Sequence, residues 1–139
     1  MEANELMIGD YLRTRFSKKI IRVKEIKQSC IYTEDNGYEY NEIEPIPLTP
    51  KILEKNGFEK SYSNILTADG YKKLPQYKYK NMAQVQDICR NLITISYSDL
   101  EGGVYDIQCG IGSHIYDLKY VHQLQHALRL CGIKKEIEL

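Results

Sequence analysis

The sequence predicts an α+β protein, and three observations predict it. Short β-branched and tyrosine-rich segments bounded by turn residues fill the first 48 positions. A compact helix signature, with both a start and a stop signal, follows at Leu48–Phe58. An amphipathic stretch with a glycine stop lies near the end, at Tyr120–Gly132. A chain of 139 residues suits one domain or two small ones. The expected division is a small SH3-like β-barrel over residues 1–48 and an α+β domain over 49–139. The second domain is read as a sheet packed by short helices, ending in an amphipathic helix over 118–131.

The barrel rests on four or five short strands. Leu6-Met7-Ile8 is read as extended, leading to a turn at Gly9-Asp10 and a strand over Tyr11–Arg15. Ser17-Lys18-Lys19 turns the chain. Ile20–Ile26 is a β-branched run whose alternation slips between Val23 and Ile26, the mark of a bulge or of a bend in a small barrel. Cys30–Thr33 and Tyr38–Tyr40 flank Asn36-Gly37, a strong short-range hairpin signal. Ile43–Leu48 is a last extended piece, confined by Pro45 and Pro47 to an edge or a position outside the ladder.

At the first helix, Thr49 is the expected N-cap. Pro50 takes the first helical position, where its missing N–H costs nothing. Leu48 and Leu53 stand at the two hydrophobic-staple positions, Ile52 and Leu53 form the buried face, and Gly57 ends the helix. Beyond it, Tyr62–Leu66 and Tyr71–Leu74 are expected strands around Asp69-Gly70. Residues 82–90 are expected to be helical, with Asn81 as cap. Asn91–Tyr97 and Val104–Cys109 are expected strands around Glu101-Gly102-Gly103, with one more at Ser113–Tyr116. In the last helix Val121, Leu124, Leu128 and Cys131 share a face. Asp117 is the expected N-cap, Tyr116 packs on Val121, and Gly132 provides the stop.

Nineteen basic residues balance nineteen acidic ones. Zero net charge argues against a generic polyanion binder. The charge is nevertheless segregated. Residues 13–27 hold Arg13, Arg15, Lys18, Lys19, Arg22, Lys24 and Lys27 against Glu25, while residues 34–44 hold five acids and no base. If these segments are neighbouring strands, they pair and cancel the field. Cys30, Cys89, Cys109 and Cys131 match no zinc spacing and read as reduced, buried thiols. Twelve tyrosines with no tryptophan fit half-buried strands. No run of 18 apolar residues appears, so no membrane partner is expected. Glu2 and Glu5 near the start do not resemble a secretory signal, which leads to a cytoplasmic expectation.

Three segments together carry a family resemblance: Asn4–Tyr11, Ile43–Phe58 with its Ile-Pro-Leu-Thr-Pro start, and Lys119–Leu139 with Tyr-Val-His-Gln-Leu-Gln. In this order they resemble an uncharacterised small-protein family of gut Bacteroidetes, associated with prophages and other mobile elements. The resemblance covers about a third of the chain and leaves residues 59–115 outside it. It implies an origin as mobile-element cargo. It carries over no activity, substrate or catalytic residue.

The candidate sites are few. His122 and His126 stand four apart on a helix, a spacing at which two imidazoles can share a metal, with His114 or Asp117 as a third ligand. No His-Glu-x-x-His pattern accompanies them, because Gln123 follows His122, so packing for His122 and solvation for His126 are expected and no metal is assigned. His122, His126 and Arg129 are instead candidates for an interaction surface. Tyr71, Lys72, Lys73, Tyr77, Lys78, Tyr79 and Lys80 interleave rings and ammonium groups, as single-stranded nucleic-acid binders do. The competing reading is an exposed strand face with lysines guarding an edge. Gly110–His114 lacks the lysine and helix start of a phosphate loop. The expected function is therefore non-enzymatic: an accessory binding or adaptor protein with no catalytic residue and no cofactor, whose partner is another protein. The alternative is a nucleic-acid-binding protein using residues 13–27 and 71–80.

Overall fold

A computed structural model of the chain describes residues 1–68, 70–79, 93–98, 104–109, 114–130 and 136–139. It is a mixed α+β structure with antiparallel sheets and few helices. The chain divides into two compact units, Met1–Pro47 with Tyr120–His126 and Leu48–Lys119 with Ala127–Leu139.

In the first unit, β1 (Tyr11–Thr14), β2 (Ile20–Arg22) and β6 (Ile43–Pro45) form one antiparallel sheet in the order β2-β1-β6. β3 (Glu25–Ile26), β4 (Cys30–Tyr32) and β5 (Gly37–Glu39) form a second, in the order β3-β4-β5. The phase slip expected between Val23 and Ile26 is where the chain leaves the first sheet and enters the second. The Val23 N–H bonds Asp10 O, and the Lys24 N–H bonds Tyr32 O. Ile21 and Val23 stay buried through the change, beside Leu6, Leu12, Ile31 and Ile43. The described strands make two three-stranded sheets, and the expected closed barrel is not found among them.

Two local expectations are corrected here. Leu6–Ile8 is not a strand. Glu2 and Glu5 form a capping box around a 3-10 turn at Ala3–Glu5, and the Met7 N–H is taken by the Asp10 carboxylate at 2.8 Å. These amides bond side chains instead of joining a ladder. The Asn36-Gly37 hairpin does form, but its loop is moved back by one residue, because Tyr32 pairs with Gly37 inside the ladder. Thr33 closes the turn by accepting from Asn36 N–H and donating to Asn36 O. A Cβ at Gly37 would stand 3.0 Å from the Tyr32 ring, so here glycine serves a close approach and not a turn.

In the second unit, α1 (Pro50–Lys55) forms as its signature dictates. The Thr49 hydroxyl accepts from the Ile52 N–H at 3.3 Å, and Pro50 opens the helix. Gly57 leaves it at φ 88°, a conformation open to glycine at no steric cost. Leu48, Leu53 and Phe58 are buried. Asn56, fully buried at the C-cap, does more than end the helix. Its amide nitrogen donates to Ile52 O and to Glu138 O, both at 2.8 Å, and its amide oxygen accepts from the Glu138 N–H at 2.7 Å. The chain near Ile137, itself buried, is thereby tied to α1.

A five-stranded antiparallel sheet follows, in the order β11-β10-β9-β8-β7. Its strands are β7 (Phe58–Thr67), β8 (Gly70–Tyr79), β9 (Ile93–Ser98), β10 (Val104–Cys109) and β11 (His114–Leu118). β7 and β8 pair without a slip from Phe58↔Tyr79 to Thr67↔Gly70, so this hairpin is longer than the sequence pattern suggests. β8 pairs with β9 over Gln76–Lys78. Pro75 falls just beyond that ladder, where a missing N–H is tolerated. The expected helix over 82–90 and the turn at 101–103 lie outside the described residues.

The last helix, α2, spans Val121–Leu130. The expected start at 118 is corrected: Asp117 pairs with Asp106 in the β10–β11 ladder and cannot cap it, and Tyr116 is likewise in β11. Gln123 does the capping work, its side-chain oxygen accepting from the Tyr120 N–H at 3.1 Å. The proposed stop at Gly132 lies outside the described residues. Val121, Leu124, Ala127 and Leu128 are buried, as the spacing requires. Replacing Leu124 or Leu128 by alanine is expected to lower stability by about 2–4 kcal/mol, measured by urea unfolding. A loss below about 0.5 kcal/mol at both sites would contradict the buried face.

Candidate functional site

The first two turns of α2 carry a polar cluster. Gln125, buried in the helix, donates from its amide nitrogen to Gly9 O at 3.0 Å and accepts from the Tyr11 N–H at 2.9 Å. Gly9 sits at φ 93°, and its own N–H reaches Val23 O at 2.7 Å. Asp10 is fully buried, with its Oδ2 2.7 Å from His126 Nε2 and 2.8 Å from the Met7 amide nitrogen. A carboxylate only accepts, so His126 Nε2 carries the hydrogen in that pair. Half-buried and bonded to Asp10, His126 is not the solvated side chain the sequence suggests.

His122 is 5% exposed and stacks on Tyr120, with ring centroids 5.8 Å apart and planes 9° from parallel. Its edge meets the His126 ring at 5.6 Å. Its Nδ1 is buried without a hydrogen-bond partner. Burial holds the His122 imidazole below the ordinary histidine range, and the His126 ring adds to that, while Asp10 and Glu5 pull the other way. His122 is therefore neutral near pH 7. Of the three proposed surface residues, only Arg129 is exposed. Among the described residues no group of three or more His, Cys, Asp or Glu side chains is arranged to hold a metal.

Beside this cluster lies an open pocket of about 520 Å³, lined by Asn4, Glu5, Tyr120, His122, Gln123 and His126, with Met1 and Pro45 completing the lining. Sequence spacing singled out the two histidines. It gave no sign of Asp10, Gln125 or Glu5, whose partners are far away in the chain.

The basic segment 13–27 meets the acidic segment 34–44, as the cross-strand reading expects. Glu44 accepts from Arg13 Nε at 2.6 Å and from Lys18 Nζ at 2.7 Å, and Lys24 pairs with Glu34 at 3.0 Å. Lys27 lies 3.5 Å from Glu25. The Lys18 hydrogen bond, with Arg13 beside it, holds the Glu44 carboxyl below the ordinary carboxylate range. Arg22 lies over the Tyr11 ring at 5.3 Å. A smaller pocket of about 240 Å³ has Lys19, Arg22 and Lys24 facing Glu34 and Asp35 across it. The hairpin turn at the end of β1 is held by Thr14, which bonds Ser17, Lys18 and Lys19. Lys18 there takes φ 56°, and Phe16 is 89% exposed.

Tyr71, Lys72, Lys73, Tyr77, Lys78 and Tyr79 all fall on β8, which has β7 on one side and β9 on the other. The edge-guarding explanation is corrected at Lys78, which β9 pairs; Lys72 and Lys73 lie beyond the β8–β9 ladder, with β7 alone beside them. Positions 71, 73, 77 and 79 alternate with 72 and 78 across the two faces of an unbroken strand. Lys80 and Gly110–Ser113 lie outside the described residues. Comparison with family models, with curated proteins and with solved structures gives no match.

Two of the shifted groups, His122 and Glu44, set an acid-sensitivity profile. A histidine favoured as neutral in the fold binds fewer protons there than when unfolded, so stability is present above the ordinary value of 6.5 and falls as pH drops below it. Glu44, favoured as charged, adds a second loss below its ordinary 4.5. Melting temperature should therefore decline from pH 7 toward 5. His122→Gln should flatten that first decline, and Glu44→Gln should flatten only the later one.

Proposed function

We propose that this protein is a non-enzymatic accessory adaptor of a prophage or other mobile element, acting in the cytoplasm through contacts with another protein. The observation that carries this reading is the β1–β2 hairpin. Its Phe16 is the most exposed of the large apolar side chains among the described residues, at 89%, and Ile20 beside it is half exposed. An exposed aromatic ring on a hydrogen-bonded turn is a ready anchor for a partner surface. The strained φ of Lys18 at the same turn is the kind of feature that clusters at interaction sites. The mobile-element role rests on the family resemblance, and no helix among the described residues is long and apolar enough to cross a membrane. Two three-stranded sheets, with the chain passing from one to the other at Val23–Lys24, support an SH3-like reading of the first unit.

The rival reading, nucleic-acid binding, is weakened by the same geometry. Arg13, Lys18, Lys24 and Lys27 have acidic partners already, leaving Arg15 and Lys19 without an ion pair among the described residues. Phosphate binding depends on free cations that release counterions. Fluorescence anisotropy with short single- and double-stranded probes is expected to show binding of about 10⁻⁴ M or weaker at physiological salt. Glu44→Gln, which frees Arg13 and Lys18, should strengthen it in a salt-sensitive way. A photo-crosslinking phenylalanine analogue at position 16, used in host extract treated with nuclease, should give a discrete protein adduct competed away by unlabelled protein. Submicromolar, salt-sensitive binding that falls on Tyr77→Ala or Tyr79→Ala would sink the adaptor reading in favour of its rival.

A further inference from the structure

We propose that β7 is a dimerisation edge, on which the β7 of a second copy of this chain pairs antiparallel about a two-fold axis. This goes beyond the adaptor reading and does not depend on it. β7 ends the five-stranded sheet, and among the described residues no strand lies on its outer side. It is ten residues long, about 30 Å at the rise of an extended chain. An edge strand presents a row of unpaired N–H and C=O groups, and proteins commonly blunt such edges with charge, proline or a bulge. The opposite edge of the same sheet is treated in that way. There β11 has five residues, carries Asp117, and meets β10 with a register shift at Ile107–Gln108. By contrast, Ser61–Thr67 of β7 contains no charged residue and no proline, and its ladder with β8 runs without a slip.

The sheet behind β7 is uneven, and this selects the occupant. β9 joins β8 over Gln76–Lys78, the residues that stand opposite Ser61, Lys60 and Glu59. That end of β7 therefore has several strands behind it. Tyr62–Thr67 stands opposite Pro75–Gly70, beyond the β8–β9 ladder, where the two strands form a ribbon with no third member among the described residues. A two-stranded ribbon alone is marginal in water. An antiparallel copy of β7 runs in the reverse order, so the supported end of each copy lies against the ribbon end of the other. A strand from another protein carries no such reciprocal arrangement. Full overlap of Glu59–Thr67 sets Ser63 opposite its own copy, Tyr62 opposite Asn64, Ser61 opposite Ile65, Lys60 opposite Leu66 and Glu59 opposite Thr67. Each pair falls on one face of the extended sheet, and no like charges meet. Closed two-fold pairing is the commonest symmetry of soluble oligomers, and it leaves no β7 edge open for a third copy.

The test uses the full chain in sedimentation velocity from about 1 μM to about 1 mM, a range that spans micromolar to millimolar dissociation constants. A monomer–dimer equilibrium is expected. Ser63→Lys and Ser63→Glu each set like charges opposite one another at the two-fold centre, and each should weaken self-association about threefold to fivefold. Mixing the two variants should restore association, which a loss of folding would not allow. Amide hydrogen exchange of the unsubstituted protein should slow at Tyr62–Leu66 as concentration rises, and this readout needs no variant. The proposal is overturned by a monomer throughout the range, by a dimer indifferent to both Ser63 variants, or by a mixture that associates no more tightly than its parts. Exchange at β7 that stays the same across the dimer transition overturns it too, as does an assembly that grows beyond two copies.

Discussion

The first unit depends on one amide side chain. Gln125 bonds the N–H of Tyr11 and the carbonyl of Gly9, groups 114 and 116 residues away in the chain. Those two backbone groups flank Asp10, whose carboxylate holds Met7 on one side and His126 on the other. Four polar interactions thus converge on residues 7–11, directly before β1. Each group is buried or half-buried, so each bond is worth more than its surface equivalent and costs more to break. Leu12, the next residue along β1, is buried with Ile21 and Ile43. A segment that would read as a solvated lead-in is instead fixed by helix α2 from the far end of the sequence.

The second organising constraint is charge. The basic and acidic runs are separate in sequence and meet in space, with Glu44 holding Arg13 and Lys18 together. Exposed pairs of this kind contribute little to stability. Their larger consequence is to remove a positive field that residues 13–27 alone would project. With Arg13, Lys18, Lys24 and Lys27 beside acids, the segment has fewer unpaired cations than its sequence suggests. Phe16 stands exposed on the same β1–β2 turn that carries Lys18.

What the sequence shows of this fold follows the range of the interactions involved. The α1 signature was legible to the residue, because Thr49, Pro50 and Gly57 act on their own neighbours. The sheet change at Val23–Lys24 was legible because a two-residue period cannot slip without bending a strand. Elsewhere a local rule met a competitor. Asn36-Gly37 marks its hairpin, yet the Tyr32 ring over Gly37 draws that glycine into the ladder and moves the turn back to Thr33. Asp117 is a good cap by type, but the ladder with β10 takes it first, and Gln123 caps in its place. At the candidate site the histidine spacing was visible and its meaning was not. Asp10, Gln125 and Glu5 acquire roles only through partners more than a hundred residues away or through a pocket that no single segment forms.

That division explains why a pair of histidines at metal-binding spacing is better read as something else. A shared metal needs both imidazoles to offer a lone pair to the same point. Here the two rings are differently committed. His126 donates its Nε2 hydrogen to a fully buried carboxylate, which fixes its orientation, and His122 turns its face to Tyr120 and keeps Nδ1 out of reach of water. One histidine is a structural donor, and the other is a stacked ring whose buried Nδ1 has no partner. A helix that places two such rings side by side, each already committed to a different neighbour, does not offer a matched pair of metal ligands.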